Sequence, residues 1–246
     1  MKPLRFYRRP ITERTVTLTG REAHHLSVVL RLSVGALVEL FDGAGAWAEA
    51  TVTAAHKDRV ILAVEKLNLA PAPATGRIVI AVSLAKADRF EWVISKCTEL
   101  GVDRICPIRF ERTVKLVHNE RVRQRYEQLA LAAAKQSRRL FLPKIDPPQS
   151  LPDCLETLRN DYPRGRFILG SLNPHSKPLI ELKWFDDDVL AFVGPEGGLT
   201  DEELSLLHRY DVQEVRLTDT ILRVETAAVV LAALLTAQRH AASNKP

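Results

Sequence analysis

A strand, a glycine-rich loop and a capped helix follow one another between Val189 and Leu204, VLAFVGPEGGLTDEEL. Val189 to Val193 is a short apolar run ended by Gly194-Pro195, the signature of a buried strand. Thr200 with Glu203 forms a capping box, and Asp201 and Glu202 sit in the first turn, where the helix dipole favours carboxylates. Gly194, Gly197 and Gly198 lie between them and let backbone groups approach a ligand closely. In open α/β sheets ligands bind at the carboxyl ends of strands, where this loop sits. An ordinary strand-to-helix turn would use the same residues.

A second stretch, Glu214 to Ala228 (EVRLTDTILRVETAA), repeats the grammar. A short strand with Val215 and Leu217 is followed by the polar turn Thr218-Asp219-Thr220, then Ile221-Leu222-Arg223. The helix expected from Thr226 to Gln238 is apolar on nearly every face, so it must be buried, in the core or at a subunit interface. It is too short, and too closely flanked by Arg223, Arg239 and His240, to span a membrane.

These two elements need a frame. Asn68 to Gly76, NLAPAPATG, reads as a linker. Before it, strands are expected at 4–7, 36–41, 47–53 and 59–64, with a helix from a Thr19–Glu22 capping box through His24 to Leu32. After it, strands and helices alternate: a strand at 78–84, a helix capped by Asp88 with Glu91 and ending at Leu100-Gly101, and a strand at 105–108. A long helix from about Asn119 to Ser137 and a strand at 167–169 precede the two loop units. This alternation predicts a doubly wound α/β fold with a mostly parallel sheet. The domains are 1–70 and 76–246.

Composition excludes little. The chain has 246 residues, 46% hydrophobic and 26% charged, as in globular proteins with a sizeable core. There is no apolar stretch of about 18 residues. MKPLRFYRRPITERT lacks the apolar region of a signal peptide, so a cytoplasmic location is expected. The three cysteines, Cys97, Cys106 and Cys154, are far apart and fit no metal spacing; buried free thiols are expected. No phosphate-loop motif, no G-x-G-x-x-G after the first α/β strand and no G-x-S-x-G elbow occurs, which disfavours ordinary Rossmann enzymes. His24-His25 cannot share a helix face and has no third ligand nearby, so no metal is expected.

The net charge of +5 is compatible with a nucleic-acid partner. Arg5, Arg8, His24, His25 and Arg31 in the small domain, and Lys86, Arg89, Arg112, Lys115, Arg138 and Arg139 later, form the candidate nucleic-acid-binding set. Each alone is most simply a solvated surface charge. Their concentration at strand ends and in the small domain favours phosphate contacts.

GPEGGLTDEE followed by LTDTILRVETAA resembles the C-terminal signature of the SPOUT class of RNA methyltransferases. Within it, the chain resembles the RsmE-like family, which methylates N3 of a uridine in bacterial 16S ribosomal RNA. RFY near the start, HHLSVVLRLSVG at 24–35, KADRFEWVISKCTELGVDRICP at 86–107, RTVK at 112–115 and KQSRR at 135–139 agree in order and spacing. The family usually has glycine at Ala87 and Arg138, and Gly-Pro-Arg at Thr218-Asp219-Thr220. The resemblance implies a C-terminal trefoil knot, a PUA-like β-barrel at the N-terminus and a homodimer. It also implies S-adenosylmethionine as cofactor and 16S rRNA or the small ribosomal subunit as partner. The cofactor would rest on Gly194, Pro195, Glu196, Gly197, Gly198, Leu217, Thr218, Leu222 and Arg223, with Leu169 and Ile221 as apolar walls.

Uridine N3 must lose a proton to attack a sulfonium methyl, so catalysis needs a base and a cation beside the ring. Glu196 is the first candidate base, although it could equally be a loop-shaping hydrogen bond. Arg223 or Arg139 is the candidate cation; for Arg223 the alternative is a salt bridge to Glu225 or Glu196. Two other readings are a non-catalytic RNA-binding or ribosome-assembly factor, and an enzyme holding a different nucleotide in the glycine loop.

Overall fold

The structure, a computed structural model, describes residues 3–12, 14–71, 76–113, 119–183 and 187–243. Two compact units divide the chain, one of residues 1–72 with 131–142 and one of residues 73–130 with 143–246. The first is built on strands β1 (Leu4–Tyr7), β2 (Thr15–Thr19), β3 (Leu37–Phe41), β4 (Ala46–His56) and β5 (Arg59–Leu69). The sheet order is β1-β3-β4-β5-β2; β1 runs parallel to β3 and the other pairs are antiparallel. Ala46, Ala48, Ala50 and Val52 alternate inward along β4, as period two requires, onto a core with Phe6, Leu18, Leu26 and Leu40.

The helix α1 (Gly20–His24) continues as a π-helical turn over His25–Val29, and Thr19 makes no side-chain cap. The expected capping box fails because Glu22 is engaged elsewhere. Its Oε2 accepts from the Tyr7 amide at 2.8 Å, and Lys135 Nζ lies 2.9 Å from Oε1.

Residues 131–142 belong to this unit, which the expected 1–70 boundary did not include. Arg5, only 8% exposed, lies over the Phe41 ring and donates to the Arg139 carbonyl at 3.0 Å. Its Nε is 2.5 Å from Glu39 Oε1, an ion pair by distance in which neither atom has hydrogen-bond alignment. Arg138 donates to Glu39 Oε2 at 2.8 Å and to the Pro3 carbonyl at 2.7 Å. The Leu142 amide donates to the Gly43 carbonyl at 2.8 Å. A Cβ on Gly43 would stand 2.6 Å from Leu142, so glycine lets the segment close in. Arg138 has φ +59°, a left-handed conformation natural to glycine. This gives a backbone reason for the glycine usual at that position in the family it resembles, and the two hydrogen bonds offset the strain here.

The second unit alternates as expected: β6 (Ile78–Ser83), α2 (Ala87–Leu100), β7 (Arg104–Arg109), α3 (Glu120–Ser137, whose last turns are in the first unit), β8 (Lys144–Ile145), β9 (Gln149–Ser150) and α4 (Leu151–Asp161). Then come β10 (Arg166–Ser171), β11 (Lys177–Pro178), β12 (Val189–Val193), α5 (Asp201–Arg209), β13 (Gln213–Arg216) and α6 (Val224–Ser243). The sheet runs β11-β13-β10-β12-β6-β7-β8, with β9 also beside β7, and every pairing is parallel. Ile78, Ile80 and Val82 of β6 pack with Phe90, Ile94, Leu231 and Leu235, whereas Val79 and Ala81 pack with Leu155, Leu158 and Leu207. Strands apolar on both sides are what a sheet covered on both faces demands.

Helix boundaries moved for local reasons. The N-cap of α2 is Lys86 without a side-chain bond, so Asp88 lies in the first turn instead of capping it. Helix α6 extends five residues past Gln238, to Ser243. All three cysteines are buried thiols outside any disulfide, and the Cys106 thiol is pushed up by its hydrogen bond with Cys154 and by burial.

A buried ion pair lies in this unit. Arg104 and Asp146 side chains are each 4% exposed and meet at 2.7 Å; Arg104 also reaches Asp161 at 2.5 Å. Asp146→Ala leaves that guanidinium half-paired in a buried site, and the expected loss is about 3 kcal/mol, the lower end for breaking a buried pair because Asp161 remains. Urea unfolding measures it. Arg104→Met combined with Asp146→Leu should recover most of the loss, and failure to do so would deny that an orphaned charge is the cause.

Candidate active site

The glycine loop and the Leu-Arg loop share one cleft of about 620 Å³ at the carboxyl ends of β10, β12 and β13. Leu169, Gly194, Pro195, Glu196, Gly198, Leu217, Thr218, Ile221, Leu222 and Arg223 all line it. Gly197 does not; its carbonyl accepts from Arg112 Nη1 at 3.0 Å, so it shapes the loop from outside. Not expected from the sequence were Ser171 at the end of β10, Leu172 and Asn173 beyond it, and Glu214 on β13, which close the cleft's other side. Ser171 ends an otherwise apolar strand, and that was the available signal.

The glycine loop is held from three directions. The Gly198 amide donates to the Pro195 carbonyl at 2.9 Å, with Gly198 at φ +73°. The capping box of α5 is complete: Glu203 Oε2 accepts from the Thr200 amide at 2.9 Å and Thr200 Oγ1 from the Glu203 amide at 3.2 Å. Glu203 Oε1 also accepts from the Glu111 amide at 2.8 Å, tying the loop after β7 to the same helix start. With these amides capped and Asp201, Glu202 and Glu203 in the first turn, the α5 N-terminus repels phosphate. That argues against a different nucleotide, with its phosphate, in the glycine loop.

In the second loop, Thr218 Oγ1 donates to the Thr220 carbonyl at 2.8 Å, a threonine turn standing where a Gly-Pro turn is usual in the family it resembles. Asp219 pairs with Arg216 at 3.3 Å and is 90% exposed. Arg223 immediately precedes α6, is exposed, and its side chain makes no hydrogen bond or ion pair among the described residues. The anticipated salt bridge to Glu225 or Glu196 is therefore absent there. Both carboxylates face Arg89 instead, at 2.5 Å from Glu196 and 3.7 Å from Glu225. The Glu196 side chain is 59% exposed, so this pair contributes about 0–1 kcal/mol. Its consequence is orientation.

The candidate RNA-binding cations divide sharply. Arg5 is buried against Glu39 and Phe41, a structural cation unavailable to phosphate. Arg138 is committed to Glu39 and Pro3, Arg89 to two carboxylates and Arg112 to loop carbonyls. Burial, then Lys135, lowers the pKa of His25, so its ring is neutral near pH 7. Arg139 groups with the first unit and is not part of the cleft wall. Arg8 is half-buried, whereas His24, Arg31 and Lys86 are exposed. Lys115 lies outside the described residues. No group of acidic, His and Cys side chains among the described residues could hold a metal, and no helix among them is long and apolar enough to cross a membrane.

The cleft fits an S-adenosyl group: mostly apolar walls for a base, polar groups at its edges, and a volume ordinary for small-ligand sites. Known proteins agree. The model of the RNA methyltransferase domain matches residues 72–236, and that of the RNA methyltransferase PUA domain matches residues 18–65. The ribosomal RNA small subunit methyltransferase E of Synechocystis sp. is 33% identical over 230 residues, covering 92% of this chain and 74% of the relative. That of Bacillus subtilis is 29% identical over 222 residues, covering 87% and 86%. The crystal structure of ribosomal RNA small subunit methyltransferase E from Neisseria gonorrhoeae bound to S-adenosyl methionine superposes with a TM-score of 0.82 at 28% identity, covering 94% of this chain and 96% of that one. With a parallel α/β domain whose two loops meet in one cleft, and with these matches along most of its length, the chain belongs to the RNA methyltransferase family of ribosomal RNA small subunit methyltransferase E.

Proposed function

We propose that this chain is an S-adenosylmethionine-dependent methyltransferase acting on N3 of one uridine in 16S ribosomal RNA. The observation that carries the reading is a mainly apolar cleft, built from both loops, with an unpaired guanidinium at its edge. S-adenosylmethionine supplies an electrophilic methyl group. The chain's part is to align N3 with that methyl, to take or let go the N3 proton, and to hold negative charge spread over O2, N3 and O4. Arg223 stabilises the anion and Glu196, oriented by Arg89, accepts the proton. Mass spectrometry of ribosomal RNA from cells with and without the gene tests the whole reading. Loss of one 3-methyluridine from 16S RNA supports it, and an unchanged modification profile overturns it.

The same reading makes residues 1–70 the RNA-binding domain and 76–246 the methyltransferase domain, knotted as in the SPOUT class, in a cytoplasmic homodimer. Half-buried Val229, Val230 and Leu234 on α6 support the dimer, since they are apolar and only partly covered within the protomer. Residues 131–142 pack with the first unit, so removing 1–70 would strip Phe141 and Leu142 of their cover. The division of labour is better tested in the full chain. Arg31→Glu and Lys86→Glu are each expected to weaken rRNA binding, reducing the slope of log K against log salt by about 1, with affinity for S-adenosylhomocysteine unchanged. Filter binding across a salt series reads this; an unaltered slope removes the residue from the RNA contact set.

A further inference from the structure

The glycine loop and the Leu-Arg loop account for two walls of the cleft, and the third has no role so far. It consists of Ser171 at the end of β10, Leu172 and Asn173 beyond it, and Glu214 on the neighbouring β13. Parallel pairing sets Leu169 opposite Glu214 and Ser171 opposite Arg216, so Ser171 and Glu214 are diagonal neighbours on one face of the sheet. Ser171 Oγ donates to Glu214 Oε2 and accepts from the Asn173 amide at 3.1 Å. The hydroxyl proton is therefore directed at the carboxylate. Glu214 Oε1 faces His208 Nε2 at 3.4 Å, and its side chain is 22% exposed.

This edge offers acceptors. Each Glu214 oxygen has a lone pair beyond its protein contact, and Ser171 Oγ retains one. Two neighbouring acceptors on a half-buried wall suit a ligand with two neighbouring donors. We propose that Glu214, oriented by Ser171, reads the ribose 2′,3′-diol of the S-adenosyl ligand and is the cleft's determinant for ribonucleosides; this rests on the methyltransferase reading above.

The other donors of such a ligand fit this wall less well. The adenine amine belongs to a flat base that the apolar side chains Leu169, Leu217, Ile221 and Leu222 receive. The amino-acid portion shares the end of the ligand that carries the reactive methyl, which must face the RNA and so lies toward exposed Arg223. The ribose joins the two. A carboxylate accepting from ribose hydroxyls is the solution that dinucleotide sites also reach.

Calorimetry on the full chain tests the assignment with S-adenosylhomocysteine, its 2′,3′-dideoxy counterpart and its purine counterpart lacking the 6-amino group. Wild type is expected to bind the dideoxy probe about ten- to a hundredfold more weakly, the range for hydrogen bonds to a charged acceptor. Glu214→Ala should weaken S-adenosylhomocysteine by a similar factor and bind the dideoxy probe as wild type does, removing the discrimination. Glu214→Gln, a neutral acceptor of the same shape, should fall between. Ser171→Ala should reduce discrimination without abolishing it, because the carboxylate stays but loses its orientation. Thermal unfolding confirms that each variant is folded. If Glu214→Ala keeps the wild-type preference for the diol, or loses a preference for the amino group instead, the assignment is overturned while the cofactor reading stands. If wild type binds no S-adenosylhomocysteine, both fail together.

Discussion

Gly198→Leu is expected to abolish measurable binding of S-adenosylhomocysteine while leaving the protein folded. Crowding within the protein is not the first reason. A Cβ on Gly198 would have only Arg112 Nη1 nearby, at 3.8 Å. The reason is backbone: Gly198 stands at φ +73°, which a leucine adopts only at a cost of about 1–3 kcal/mol. The loop would relieve that strain by rotating the peptide on either side, which breaks the Gly198–Pro195 turn and moves the groups that line the cleft. A leucine side chain on a residue of the cleft wall also occupies ligand space. The two effects predict different results for a smaller residue. Gly198→Ala carries the strain with little bulk, so it should weaken binding about tenfold or more; Gly198→Leu should exceed it. Calorimetry on both, with unfolding curves as control, decides. Unchanged affinity in a folded Gly198→Leu protein would remove the glycine loop from the cofactor site.

Features that depend on chain-local physics could be read from the sequence. The Thr200–Glu203 capping box, the buried strand Val189–Val193 and the β–α alternation follow from residue types at fixed spacing, and all are present. The Thr19–Glu22 pair has the same local pattern and fails, because Lys135, more than a hundred residues away, engages Glu22. Arg5 and Arg31 likewise look alike in sequence, yet one is buried against Glu39 and the other is exposed. Partners distant in sequence decide such cases. Some signals were present but unread: Ser150 caps α4 through the Asp153 amide, with Pro152 in its first turn. β2 was also unexpected, since TVTLT alternates over only five residues. In the cleft, the loops rich in glycine were legible because glycine marks unusual backbone. Glu214 was not, because only the register between β10 and β13 brings it to Ser171.

Arg223→Ala is expected to lower kcat by about 10²–10³ with little change in KM or in affinity for S-adenosylhomocysteine, the loss typical of one charge-stabilising donor. Neutral uridine offers little for a guanidinium to hold, whereas the deprotonated ring carries a full negative charge. The interaction therefore grows toward the transition state, which places its loss in kcat. Arg223 is suited to this by its freedom from carboxylates: Glu196 and Glu225 face Arg89, so the charge of Arg223 is not neutralised within the described residues. It also precedes the first turn of α6, whose dipole adds positive potential at the same place. Arg223→Lys keeps the charge but not the planar fork, and an intermediate rate is expected. Arg139→Ala separates the two candidate cations, since an equal kcat loss there with none at Arg223 would transfer the role. Glu196→Gln tests the base, because the amide preserves shape and cannot take the N3 proton. A fall of about 10² or more is expected, within the range of general-base catalysis. Single-turnover methylation of the small ribosomal subunit across a pH series distinguishes the two losses. Raising the pH supplies more deprotonated uridine, so it should rescue Glu196→Gln and leave Arg223→Ala slow. If both variants methylate at the wild-type rate, neither residue has the role assigned to it, and the proton goes to solvent or to another group.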